Sequence, residues 1–335
     1  MKTVLLVVLV VVAFIFSLSC SESGREINAE QLQKRGDDLY YAVNEEKPYS
    51  GKVVELYESG QKKNERTFKN GKLHGLTTMW DSDGQKKSEV GYQNGKLSGP
   101  YRTWYDNGQR QSEGEYKEGN RQAGWNCWSK DGEKRETDTV SDIDGNTYLA
   151  IKIGEQWWMA ENLKVTHYRN GDAIPNVADK SAWANLTRGA CCSYKNDPAN
   201  ADTYGYLYNW YAVNDSRGLA PEGWHVPTDA EWLTLVDYLG GSNVADDKMK
   251  ESGTTYWNSP NIGATNESSF SALAGGYRNF DGNFNYMGYY AYFWSSTEND
   301  RNTAWEWYLG YYNVEVNREY SNKHCGFSVR CVRDL

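Results

Sequence analysis

The strongest constraint on how this chain can fold is a self-similarity with a period of 24 residues between Tyr49 and Glu136. Gly60, Gly84, Gly108 and Gly132 recur at that interval, as do Gly71, Gly95 and Gly119. Leu56, Trp80, Trp104 and Trp128 keep the same period, and so do Phe68, Tyr92 and Tyr116. The residues ahead of the glycines give the physical reason. Ser59-Gly60, Asp83-Gly84, Asn107-Gly108, Asp131-Gly132, Asn70-Gly71 and Asn94-Gly95 are turn dipeptides, suited to the positive φ of a tight hairpin. Stretches between the turns, such as Leu76–Trp80 and Tyr101–Tyr105, read as strands. The region is therefore expected to be an antiparallel β-repeat meander with aromatic residues stacked at equivalent positions. One unit cannot bury its own face; several stacked units can, the last abutting the next domain as a cap.

Residues 49–136 resemble the MORN-variant repeat of bacterial surface and accessory proteins. The resemblance rests on Gly-Lys-Leu-His-Gly at Gly71–Gly75, Gly-Lys-Leu-Ser-Gly at Gly95–Gly99 and Trp-Tyr-Asp-Asn-Gly at Trp104–Gly108. The third unit departs from the pattern at Asn120–Gly124, where the second glycine slips by one residue. The resemblance implies a contact or spacer module, and a spacer that supplies reach without a ligand of its own is the expected role.

Ahead of the repeats, Met1-Lys2-Thr3 is followed by the apolar run Val4–Phe16 and the small group Ser17-Leu18-Ser19-Cys20. This is a positive n-region, an h-region and a processing site. The apolar run falls short of the roughly 20 residues that cross a bilayer, so a signal peptide is expected over residues 1–19. It resembles a bacterial lipoprotein signal, in which Cys20 is lipidated and becomes the mature N-terminus; Ser17 stands at the usual leucine position and Leu18 one closer. That resemblance implies export, a lipid anchor at the outer membrane and surface exposure. Residues 20–48 are polar, with few large apolar side chains, and read as a flexible stalk.

Charge divides the folded part in two. Residues 49–136 carry 16 Lys and Arg against 13 Asp and Glu, whereas residues 137–335 carry 15 against 25. The acidic second region argues against nucleic acid, whose binding needs clustered Lys and Arg to neutralise phosphates. Ten of the 14 Trp residues also fall after position 136, enough aromatic surface for a core and a binding face.

Within residues 137–335, Thr228 and Glu231 form a capping box. Trp232, Leu235, Val236 and Leu239 follow at helical spacing, and Gly240-Gly241 stops the run. One helix is expected over residues 229–239. Alternation in Tyr290–Trp294 and Trp305–Tyr311 predicts strands, and Gly326–Val332 reads as a terminal strand. The class is α+β with few helices and long loops. Six ordered segments, Asp142–Tyr148, Gln156–Leu163, Tyr204–Tyr211, Gly223–Trp232, Phe270–Leu273 and Gly326–Asp334, resemble the Fibrobacter-type major paralogous domain. That family is common in surface lipoproteins. The resemblance implies a fold of C-type-lectin-like type, distantly similar also to formylglycine-generating enzymes.

Export permits disulfides, and Cys191, Cys192, Cys325 and Cys331 are the candidates, with Cys127 a lone thiol in a repeat strand. A bond between adjacent Cys191 and Cys192 would be strained, so one or both are expected to reach the C-terminal strand. Ala220 stands where the family often has a cysteine. Cys325 and Cys331 flank the terminal strand, without the surroundings of the formylglycine-generating site, and are expected to be non-catalytic. Asp142, Asp144 and Asn146 have the opening spacing of a calcium loop, but Thr147 and Ile153 break it, and a β-turn is expected. No cofactor motif appears; relatives of the fold imply that a structural calcium ion could be held by dispersed carboxylates. His225 reads as a packed, hydrogen-bonded residue.

No nucleophile, acid/base or metal constellation stands out, so no catalytic residue is assigned. The candidate ligand-binding run is Arg278, Asn279, Asp281, Asn283, Asn285, Tyr286 and Tyr289, where amides could fix hydroxyl groups and rings could stack on sugars or apolar peptide faces. The expected function is a non-catalytic surface binding or adhesion protein for extracellular glycan or protein. The alternatives are an enzyme on a formylglycine-generating-type scaffold and a structural surface component.

Overall fold

The computed structural model describes residues 25–334. The leader and Cys20 lie outside the described residues. No helix among the described residues is long and apolar enough to cross a membrane.

The repeats form a ten-stranded sheet whose central path is a meander. Gly51–Leu56, Lys62–Lys69, Gly75–Trp80, Lys86–Gln93, Lys96–Trp104 and Arg110–Lys117 pair antiparallel, each with the next. Asn70-Gly71 and Asn94-Gly95 both turn with positive φ at each residue, as the tightest hairpin requires. Successive units are also tied by tyrosine hydroxyls that reach carbonyls 23 residues on. The Tyr57 hydroxyl donates to the Trp80 carbonyl, and the Tyr105 hydroxyl to that of Trp128, each at 2.8 Å.

The expected stalk is, from Arg25 onward, folded. Glu26–Asn28 pairs in parallel with Gly51–Leu56, and Leu32–Lys34 forms a hairpin with Tyr40–Ala42. The reason is apolar content the polar composition concealed: Ile27, Leu32 and Tyr40 pack on a small core of Ala42, Tyr49, Val53 and Phe68. The Tyr40 and Phe68 ring centroids lie 5.1 Å apart. This segment caps the first repeat, whose outer face would otherwise meet water.

Residues 137–334 form a β-rich unit with short helices. One five-stranded sheet contains Thr137–Ser141, Thr147–Ile153, Gln156–Met159, Val332–Arg333 and Trp224–His225. A second contains Cys191–Cys192, Leu207–Asn209, Gly326–Phe327, Tyr277–Arg278 and Phe284–Asn285. A third joins Tyr290–Glu298, Thr303–Gly310 and Asn317–Asn322. The expected terminal strand is thus two short strands in different sheets, with the intervening chain crossing between them. The helix Asp229–Tyr238 starts on its capping box: the Glu231 amide donates to Thr228 Oγ1, and the Thr228 amide to Glu231 Oε2. It buries Trp232, Leu235 and Val236 in the main core.

The last repeat belongs to that same core. Trp125 and Cys127 pack in one cluster with Leu149, Ile151 and Trp158. Gly114 makes this possible, since a Cβ there would lie 2.3 Å from Trp125 Cε2. Across the junction, Gln111 Nε2 donates to the carbonyls of Thr265 and Asn266 at 3.1 and 3.2 Å.

Candidate functional site

Where the array meets the second unit, a cleft of about 500 Å³ opens between them, within the usual size of a small-molecule site. The array wall is aromatic. Tyr101, Tyr116 and Trp125 contact one another edge to face or tilted, with centroids 5.2–5.6 Å apart. The Arg121 guanidinium carbon lies 3.5 Å from the Trp125 ring centroid, and Nε meets Glu161 Oε1 at 3.2 Å. The opposite wall carries Tyr256, Glu251, Asn266 and Arg330.

Arg121 and Glu161 pair with each other, while Glu251 and Arg330 are held by neutral hydrogen-bonding groups. Burial alone would lower the Arg121 pKa, but the negative charge of Glu161 opposes this and holds the guanidinium charged. Burial likewise opposes ionisation of Glu161, and Arg121, Lys164 and the Leu149 amide overcome it. Glu251 is pushed up to about 7 by burial, against Ser271 and the charges of Arg121 and Arg330; its Oε2 accepts from Asn266 Nδ2 at 2.6 Å. Arg330 is pushed down to about 9 by burial. Its fork donates to Asn162 Oδ1 (2.6 Å) and to the carbonyls of Met159 (3.0 Å), Phe270 (2.5 Å) and Ser271 (3.0 Å). Tyr101, Tyr116 and Tyr256 are all raised by burial and stay neutral phenols. Rings, phenols and amides, beside an Arg121–Glu161 pair that neutralises itself, suit an uncharged, hydroxyl-rich ligand.

The sequence-derived run 278–289 does not assemble as one site. Arg278 is fully buried and structural: Nη1 donates to the Val177 carbonyl at 2.5 Å, Nη2 to Ala178 and Asp179, and Nε to Gly282. Asp281 and Asn283 close their own turn, with Asn283 Nδ2 donating to Asp281 Oδ2 at 2.7 Å. Asn279 Oδ1 accepts from the Phe280 amide. Asn285 is half-buried in its strand opposite Tyr277. Tyr289 turns away to pack on Tyr311. Only Tyr286 joins a wider tyrosine face. Asn, Asp and Gly in close order were hairpin chemistry here, not ligand chemistry.

The expected disulfides are likewise absent: Cys127, Cys191, Cys192, Cys325 and Cys331 are all buried free thiols. Adjacent residues of a strand face opposite ways, so Cys191 and Cys192 enter different cores. Cys325 approaches Asn279 Oδ1 at 3.8 Å, and Cys191 the Ile174 carbonyl at 4.0 Å. Burial holds Cys192 up to about 11 and Cys325 up to about 12, far from a reactive thiolate. At the calcium-like spacing, Asp142 accepts from the amides of Asp144 and Asn146, from Asn146 Nδ2 and from the Tyr148 hydroxyl, which makes it a turn.

Sequence reasoning missed Arg121, Glu161, Glu251, Tyr256 and Arg330. One signal was available: the broken register at Asn120–Gly124 marks where the array stops repeating, beside Arg121 and Trp125 of the cleft wall.

The molecule is thus a β-repeat array whose last unit is built into a β-rich domain. Its family follows from comparison with known proteins. The Fibrobacter succinogenes major domain model matches residues 151–333, more than half of the chain, and the chain belongs to that family. The MORN repeat variant matches residues 73–94 and 97–118. No curated protein matches the chain.

Proposed function

We propose that this is an exported, lipid-anchored binding protein that holds an uncharged saccharide in the cleft between its repeats and its C-terminal domain. On this reading the domain is of C-type-lectin-like type, the anchor is Cys20 at the outer membrane, and the protein acts without catalysis at the cell surface. The observation that carries the reading is the cleft itself: about 500 Å³, walled by aromatic rings and phenols, with Arg121 and Glu161 paired to each other. The repeats are then half of the binding site as well as a spacer.

The test is a glycan array followed by calorimetry on the whole mature chain, with Tyr116→Phe and Tyr256→Phe. Each loses one phenolic hydroxyl, and each is expected to weaken saccharide binding about tenfold, the worth of one buried hydrogen bond. Failure to bind any saccharide, or binding indifferent to both substitutions, sinks the reading. New reducing ends would replace it with hydrolysis, for which the oppositely displaced Glu251 and Glu161 are the candidates.

A further inference from the structure

A second feature lies away from the cleft, on one face of the strands Tyr290–Glu298 and Thr303–Gly310. Tyr292 stands opposite Tyr308, and Trp294 opposite Glu306. Tyr277 and Tyr286 extend this face from the neighbouring hairpin. The five tyrosine rings are contiguous: Tyr277–Tyr292 at 4.8 Å, Tyr292–Tyr308 at 5.3 Å, Tyr286–Tyr290 at 5.4 Å and Tyr290–Tyr308 at 6.0 Å. All five keep accessible surface, Tyr286 the most at 52%.

Under this face lies Glu306, 5% exposed. Its Oε1 accepts from the Ser321 hydroxyl at 3.2 Å, while its buried Oε2 has no hydrogen-bond partner among the described residues. A buried carboxyl left half unsatisfied is costly and calls for an explanation. The charges acting on the rings are all negative: Glu306, Glu319, Glu315 and Asp281. Elsewhere this chain places cations over its rings freely, with Arg318 over Trp305 at 3.5 Å and Arg217 over Tyr168 at 4.0 Å. Among the described residues, none lies over these five tyrosines. Electron-rich ring faces backed by a carboxylate are the chemistry that recognises an organic cation.

We propose that this face binds an alkylammonium group, seated on Tyr286, Tyr290, Tyr292 and Tyr308 with ionised Glu306 beneath it as counter-charge. Nothing in this depends on the saccharide cleft. Without a cation, burial pushes Glu306 up to about 8, with Glu319 adding to the rise and Ser321 opposing it. The carboxyl is then largely protonated at neutral pH. A bound cation favours the ionised form, so binding releases a proton to solvent, and affinity rises with pH until about 8. Of the other groups facing Glu306, Tyr277 and Cys325 are held up to about 12 by burial and stay protonated across that range. Burial also raises Tyr292 and Tyr308, while its turn holds Asp281 low.

The experiment is calorimetry on the whole mature chain with choline, with its neutral isostere carrying tert-butyl in place of trimethylammonium, and with an N-acetylated, amidated lysine. Binding of either ammonium without the isostere is expected, and the tighter of the two identifies the source of the group. Titrations in buffers of different ionisation heat should show proton release below pH 8. Tyr286→Ala should weaken binding about tenfold, since its exposed ring contributes contact rather than core. Glu306→Gln should weaken it by at least about tenfold and remove both proton release and pH dependence, whereas Tyr256→Phe should change nothing. Equal binding of choline and its isostere, absence of binding by both ammonium probes, or a wild-type complex that forms without proton release would each overturn the proposal. The last measurement needs no variant and so does not depend on Glu306→Gln folding.

Discussion

Trp125 is the side chain whose removal most directly asks whether the repeats are a separate spacer or part of the domain. Trp125→Ala takes away a 4%-exposed ring that packs with Leu149, Ile151 and Trp158, touches Tyr101 and Tyr116, and supports the Arg121 guanidinium at 3.5 Å. A buried tryptophan truncated to alanine costs about 3–5 kcal/mol. Loss of the cation–π contact adds up to about 1–2 kcal/mol, because Arg121 is desolvated. The expected loss is therefore about 4–7 kcal/mol, a large share of the roughly 5–15 kcal/mol that holds a typical domain. Trp80→Ala is the control: half-buried within the array and topped only by Lys62 at 5.8 Å, it should cost about 1–2 kcal/mol. Urea unfolding of both variants, followed by fluorescence and near-ultraviolet circular dichroism, makes the comparison. Wild type should unfold with coincident probes, and Trp125→Ala should separate them as the array comes free of the domain. If Trp125→Ala costs no more than Trp80→Ala, the junction is not a shared core and the cleft loses its fixed wall.

Two further predictions concern buried charge. Lys250→Met should cost about 3–5 kcal/mol, because Lys250 Nζ meets Asp246 Oδ2 at 2.5 Å and donates to the carbonyls of Ile262, Gly310 and Asn313. Adding Asp246→Asn should recover part of that in urea melts, and a double variant no better than the single would disprove the pairing. Stability should also fall as pH rises from about 5 to 8. Burial raises Glu251 to about 7 and Glu306 to about 8 from an unfolded value of 4.5, so the folded chain keeps protons the unfolded chain releases. Their contribution is complete below 4.5 and is lost as pH climbs through the folded values. His225, raised because Asp334 and Glu231 outweigh its burial, acts in the same direction. Urea midpoints from pH 5 to 9 test this, and Glu306→Gln should flatten the decline.

Local chemistry was legible in the sequence and long-range placement was not. The capping box at Thr228 and Glu231 and the Asn-Gly hairpins are decided by residues within a few positions of one another, and both are found where expected. The stalk was misread because five or six apolar residues, diluted among charges, suffice when a preformed sheet edge receives them. The disulfides were misread because sharing a core does not bring thiols into bonding geometry: Cys191, Cys325 and Cys331 lie in one cluster and stay free, while strand alternation sends Cys192 into another. The cleft was invisible because its walls come from residues more than a hundred positions apart, such as Arg121 and Tyr256.

Arg278 shows why a polar residue in a loop-rich run is weak evidence for binding, and it supplies the contrast that makes Glu306 informative. Buried Arg278, Arg330 and Lys250 each spend their donors on several backbone carbonyls, so removing any of them would leave acceptors orphaned within the protein. Their burial is explained by the fold alone. Glu306 has a single hydroxyl donor, an unpartnered oxygen and no cation acting on it. A glutamine or leucine would fill the same position between Trp294 and Glu319 at lower cost. From the carboxyl the fold gains one hydrogen bond, the one donated by Ser321. A buried carboxyl with one oxygen left unpartnered is best accounted for by something outside the chain, and the tyrosine rings above it, with no cation over them, specify the sign of that partner's charge.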